Sequence, residues 1–299
     1  MINQESLTDE LHMPVIWELD FYSRPVVDEN QKKLWEVLIC ESPLSIESKP
    51  ESLFRYSQFY ANTEVNSGNL RQAIEAAIAQ APKPPDRIRF FRRQMANMIS
   101  KACDELGIPG YASRRTIALN QWINQRMAEE YPTYPNYQPG SNPSVMMPSS
   151  DPQPLPDALI GQRWAFVSLE ASAFADMSEW EMDFSEAFPL DLLNLAPNMT
   201  IPGLLVFSQR SLPLAAWMSG LEMAFVKLAP GDRPQLLLET GSNDAWILAN
   251  LSSPALQKEA KDFEAAKEKA NGVHFLAVQS GPEAETFAGF WLMQELNLA

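Results

Sequence analysis

The chain is poor in the side chains that most enzyme chemistry needs. Its 299 residues include two cysteines, Cys40 and Cys103, far apart and each within an apolar stretch. That excludes a disulfide framework and a cysteine-rich zinc site, and it suits two buried reduced thiols. There are two histidines, His12 near the start and His274 inside the strand-like run Val273-His-Phe-Leu-Ala-Val278. Ser-His-Asp and Cys-His catalysis therefore has almost no material. Glycine is scarce at 12 residues, and no GxxxxGK[ST], GxGxxG or HExxH motif occurs. No apolar run approaches the roughly 18 residues that span a bilayer. The opening residues are polar and acidic, which gives the expectation of no signal or transit peptide and a cytoplasmic location.

What the chain has in excess is negative charge. Lys and Arg number 23 against 38 Asp and Glu, a net charge of -15. A protein this acidic does not coat nucleic acid or anionic membranes indiscriminately. The charge is unevenly spread, with about -3 over residues 1–150 and about -12 over 151–299. Within the first half, residues 83–115 carry eight basic and three acidic side chains, a local excess of positive charge. Eight prolines between 131 and 156 mark a linker. The expected organisation is an α/β unit over 14–130, a Pro-rich linker over 131–158 and an acidic α/β unit over 159–299. Tyr131, Tyr134 and Tyr137 recur every third residue, as expected of an extended segment packing one side onto a unit.

Periodicity predicts the elements. Residues 16–24 alternate, with Trp17, Leu19 and Phe21 on one face and Glu18, Asp20 and Tyr22 on the other, which is a strand pattern. A hairpin partner follows over 33–40 and a third strand over 53–60. Helices are predicted over 69–81, 94–106 and 116–130, with short strands at 87–91 and 109–113. The order βββαβαβα is that of the ribonuclease-H-like fold, in which strands one, four and five run parallel. In the second half, strands are predicted at 163–169, 203–208, 224–228, 235–239, 245–249 and 273–278. A helix over 254–270 has Ser253 as N-cap and Asn271-Gly272 as its stop, with its dense lysines and glutamates forming a solvated face. A last helix is predicted over 283–296. From 224 onward the order suggests a diverged repeat of the first unit, with 171–222 as an insertion carrying acids among Trp180, Phe184 and Phe188. The whole is a mixed α/β protein.

In this fold the carboxyl ends of the parallel strands meet at one edge, where ligands bind. Arg24 follows the first strand, Arg92 and Arg93 the fourth, and Arg114 and Arg115 the fifth. Each of the last two pairs stands at a helix start, where cations oppose the helix dipole and an anion would relieve them. With Arg89 they form a candidate phosphate-binding set, and Trp35, Phe91 and Tyr111 are candidates to stack on bases. The competing reading pairs these arginines with Glu18, Asp20, Glu36 or Asp86 as surface salt bridges. A two-metal nuclease is the other competitor. It lacks an acid at the end of the fourth strand, so no catalytic residue, metal or cofactor is assigned.

Residues 17–25, Trp-Glu-Leu-Asp-Phe-Tyr-Ser-Arg-Pro, together with Asp28-Glu-Asn and Lys32-Lys-Leu-Trp-Glu36, are similar to the opening signature of a family from oxygenic phototrophs. Its members are RNA-binding translation factors for the photosystem I reaction-centre subunit PsaB. Arg87-Ile-Arg-Phe-Phe-Arg, Ser113-Arg-Arg, Gly272-Val-His-Phe-Leu and the C-terminal Phe290, Trp291 and Leu292 extend the resemblance, with Met293 where the family has Leu. The resemblance implies binding to a single-stranded, A/U-rich mRNA leader without catalysis. It also implies translation or photosystem-assembly proteins as partners, and a cyanobacterial-type member. Two alternatives stay open: an acidic protein-interaction scaffold in photosystem biogenesis, and a metal-dependent nuclease.

Overall fold

The computed structural model describes residues 14–139, 150–161 and 163–296. His12, the Gly140–Ser144 stretch and Pro143 and Pro148 of the linker lie outside them.

The first half builds one five-stranded sheet. Strands β1 (Ile16–Val27), β2 (Lys33–Glu41) and β3 (Arg55–Tyr60) form an antiparallel meander. Helix α1 (Ser67–Gln80) leads to β4 (Arg87–Phe90), and helix α2 (Ala96–Leu106) to β5 (Gly110–Ala112). The sheet order is β3-β2-β1-β4-β5, with β4 parallel to both β1 and β5, which is the expected neighbourhood of the first, fourth and fifth strands. Helix α3 (Ile117–Gln125) runs into a five-residue π-helical turn, Arg126–Glu130, where one continuous helix was expected.

Period two on β1 places Trp17, Leu19 and Phe21 against α1 and α2, in a core shared with Leu70, Ile74, Ile99 and Cys103. Met95, just before α2, belongs to this core and Met98 of α2 packs against it. Leu38 and Cys40 on the opposite face pack with Leu119, Trp122 and Ile123. The other face of β1 carries the acids that the competing reading placed in surface salt bridges. It is buried instead, with Glu18 and Asp20 each about 1% exposed.

The second half holds two sheets. One has the order β10-β11-β12-β6, from Met223–Ala229, Gln235–Thr240, Asp244–Asn250 and the short β6 (Gln153–Pro154). The other has the order β7-β9-β13-β14-β8, from Arg163–Glu170, Thr200–Phe207, Val273–Gln279, Phe287–Gln294 and Met182–Glu186. Helices α4 (Ser211–Ser219) and α5 (Pro254–Lys269) share a core with both sheets. Ser253 caps α5 by accepting from the Leu256 N–H, and Asn271 and Gly272 turn left-handed beyond its end, as predicted.

The last element corrects the sequence reading: residues 287–294 are strand, not helix. The two faces of β14 enter different cores, so both are covered and alternation is lost. Phe290 and Leu292 enter one core and Trp291 and Met293 the other. β13 joins β9 and β14, whereas its sequence counterpart β4 joins β1. Helix α5 also departs from a purely solvated polar face. Lys267 is buried, donating to the Val226 carbonyl at 2.8 Å and pairing with Glu264 and Glu295.

Candidate nucleic-acid interface

The arginines singled out from the sequence do converge, but most of them point inward. Arg24 and Arg92 both bind Asp20, at 2.8 and 2.7 Å, and Arg24 reaches on to Glu36 at 3.2 Å. These cations hold the Asp20 carboxyl below its ordinary range although burial alone pushes it up. Arg92 also lies over the Tyr22 and Phe91 rings, 3.9 and 4.8 Å from their centroids. Glu36 in addition accepts from Arg126 and, at 2.5 Å, from the Tyr131 hydroxyl. The tyrosine-rich segment is thereby fastened to the first sheet. Tyr131 is buried, and Tyr137 bridges to Val26.

The other arginines cross between the halves. Arg89 donates to Glu222 at 2.7 Å and to Glu186 at 2.9 Å. Arg115 donates to Glu186 at 2.5 Å and to the Leu292 carbonyl at 3.0 Å. Arg114 pairs with Glu239 at 2.8 Å and donates to the Thr240 carbonyl at 3.0 Å. Burial pushes the Glu186 carboxyl up, but Arg115 and Arg89 overcome that and hold it down at about 2. The basic segment of the first half and the acids of the second are therefore each other's counter-charges.

The acceptor at the start of α3 is also internal, in place of the expected external anion. Glu18 accepts from the Leu119 N–H at 2.7 Å and from the Ser42 hydroxyl at 2.7 Å. Its burial raises the carboxyl to about 7 against those hydrogen bonds and the nearby Arg89. Sequence reasoning sought an external phosphate here because neither β1 nor the second half shows its carboxylates' destinations in one dimension.

Of the nine candidate contact residues, Arg24, Arg89, Arg92, Arg114, Arg115 and Phe91 are buried. Arg93 is exposed, Tyr111 is 46% exposed and Trp35 is half-buried against Phe21 and Tyr22. The family's C-terminal residues Phe290, Trp291 and Leu292 are core, and Leu292 reaches the arginine network only through its carbonyl. The aromatics of the acidic insertion are packed too: Trp180 meets Phe290 with ring centroids 5.4 Å apart, while Asp176, Glu179, Glu181 and Asp183 face solvent. Among the described residues no group of acids, histidines and cysteines is arranged to hold a metal ion, and no helix is long and apolar enough to cross a membrane.

Two clefts of about 380 Å³ each adjoin at Pro14, Leu44 and Ser45. One lies within the first half, beside Ser42, Phe54 and Lys83. The other opens between the halves, beside Arg87, Met182 and Glu186. Sequence reasoning missed the second because its walls come from segments about 100 residues apart.

A mixed α/β protein of two halves joined through buried arginine–glutamate pairs is the class that fold and site define. Residues 16–126 match the family model described as RNA-binding protein Tab2/Atab2 N terminal, and residues 142–294 match that of the RNA-binding protein Tab2/Atab2 C-terminal domain. The chain belongs to this Tab2/Atab2 family of RNA-binding proteins. It is similar to the chloroplastic TAB2 homolog of Zea mays, 36% identical over 287 residues, covering 94% of this chain and 71% of that one. It is also similar to the chloroplastic TAB2 homolog of Arabidopsis thaliana, 37% identical over 290 residues, covering 94% and 74%. A chain of the simian T-cell lymphotropic virus intasome with the PP2A regulatory subunit B56 gamma aligns at a TM-score of 0.29 and 13% identity, over 40% of this chain and 42% of that one, which carries no argument.

Proposed function

We propose that this chain binds single-stranded, A/U-rich RNA and serves as a translation or assembly factor for photosystem I, acting on the mRNA leader of the PsaB subunit. In this reading it works in the cytoplasm of a cyanobacterial-type cell and catalyses no reaction. Residues 14–130 and 159–299 are its two units, with 131–158 between them. The observation that carries the reading is the match of both halves to an RNA-binding family. Two features of the site support it. Asp20, the acid a metal nuclease would need on β1, is engaged by two guanidiniums. Arg93 and Tyr111 keep a cation and an aromatic ring accessible in the first half.

The test is binding of the full chain to a U-rich leader RNA across a salt series. Affinity is expected to fall as salt rises and to exceed that for a structured control RNA. Equal binding to both RNAs, or magnesium-dependent cleavage lost in Asp20→Asn, would overturn the reading.

A second reading rests on Asp176, Glu179, Glu181 and Asp183, which present four exposed acids around one strand and its approach. It makes the second half a surface for a basic protein partner, and such a partner would be retained after nuclease treatment.

A further inference from the structure

We infer that the cleft between the two halves is a nucleotide subsite for single-stranded RNA, with Arg87 holding a phosphate. The inference rests on the RNA-binding reading and gives it a location.

The cleft's size comes first. At about 380 Å³ it lies in the range of small-ligand sites, and it sits at a junction of two units, where such sites concentrate. Its charge comes next. Arg87 and Glu186 line the cleft, and ion pairs link them to Arg89, Arg115 and Glu222 behind its lining. Arg89 and Arg115 are consumed by close pairing, at 2.9 Å or less to Glu186. Arg87 is not. Its ion pair to Glu222 is long at 3.5 Å, and Glu222 is already engaged by Arg89 at 2.7 Å. The Nε of Arg87 is buried without a hydrogen-bond partner, while its side chain is 35% exposed and lines the cleft. A buried guanidinium nitrogen with nothing to donate to is costly, and a phosphate oxygen would satisfy it.

The Glu186 carboxylate also lines the cleft and would repel an anion if it stood alone. Arg89 and Arg115 both pair with it, which weakens that repulsion. The hydroxyls of Ser185 and Ser219 stand in the same wall and add donors suited to phosphate or to a ribose 2′-hydroxyl. Met182 and Ile46 supply the apolar surface for a base, and thioether sulfur packs well against aromatic edges. Cation, hydroxyls and apolar wall complement the phosphate, ribose and base of a nucleotide, in one cleft.

The test measures affinity of the full chain for a short U-rich RNA by fluorescence anisotropy, in wild type, Arg87→Gln and Ser219→Trp. Ser219 is the exposed last residue of α4, so the indole would fill the cleft without disturbing a core. Arg87→Gln is expected to weaken binding about five- to tenfold and to reduce the salt slope by about 0.7, the loss of one phosphate contact on a single strand. Ser219→Trp is expected to weaken binding with no change in melting temperature. A photoreactive uridine should cross-link to the peptide containing Met182. Uridine monophosphate is the competitor that separates the two sources of a nucleotide. Displacement of the RNA only at millimolar concentration supports an RNA subsite, and displacement at micromolar concentration would overturn it in favour of a free-nucleotide site. Unchanged RNA affinity in both variants would refute the cleft while leaving RNA binding intact. Failure of the wild type to bind RNA would refute both.

Discussion

Glu18 shows how a single residue can carry a pH dependence. It is buried, it has hydrogen bonds but, among the described residues, no close ion pair, and burial raises its carboxyl from the ordinary 4.5 to about 7. The folded protein therefore holds a proton that the unfolded chain releases between those values. Stability contributed by the neutral form is present below pH 4.5 and is lost as pH rises toward 7, on the order of 3 kcal/mol in all. Glu18→Gln keeps the acceptor for Leu119 and removes the titration. Urea unfolding at about pH 5 and about pH 8 is expected to show the variant gaining on the wild type at the higher pH. A gap independent of pH would contradict the assignment. Asp20, two residues away on the same face, behaves oppositely because two arginines meet it. The sequence reading foresaw the pairing of Asp20 with Arg24 as the competing possibility, and the alternation of β1 is what put both acids on one face. It did not foresee that this face would be closed over by α3, because a period of two reports a face and not what lies above it.

Among the elements, those with clear local signals agree with the sequence reading and those without do not. The β1–β2 hairpin, α1, α2 and α5 each carry a period, a cap or a stop signal, and all are where periodicity placed them. β14 lacks such a signal. Phe287-Ala-Gly-Phe-Trp-Leu-Met-Gln294 has no alternation because a core covers each of its faces, and an apolar run of this length reads equally as buried helix. Gly289 carried the missing information. A Cβ there would stand 2.2 Å from the Trp291 ring and 3.0 Å from Ala215 of α4. The Trp291 ring of the same strand lies over the position, with Ala215 beside it, and leaves no room for a side chain. Gly289→Ala is expected to destabilise by about 1–3 kcal/mol through overpacking, measured as a lowered urea midpoint with the slope unchanged. A neutral result would mean that α4 does not press on β14.

At the scale of the whole molecule, the uneven charge becomes the joint. Arg89, Arg114 and Arg115 from the first half meet Glu186, Glu222 and Glu239 from the second in pairs mostly shielded from water. Charge counting by halves revealed the asymmetry, and it could not reveal that the two signs face each other. Replacing both Glu186 and Glu222 with Gln leaves Arg89 buried without a counter-charge, at a cost of about 3–5 kcal/mol. The expected result is a single thermal transition in the wild type that becomes two transitions, or one far lower, in the double variant. Coincident melting with little loss would show that apolar contacts alone join the halves. The same joint has a practical bearing on fragments. A polypeptide ending near residue 126 keeps those three arginines and loses all three glutamates, so cations that are internal in the whole chain would lie bare. Such a fragment would adhere to RNA, to heparin and to any other polyanion, with an avidity that belongs to the cut and not to the protein.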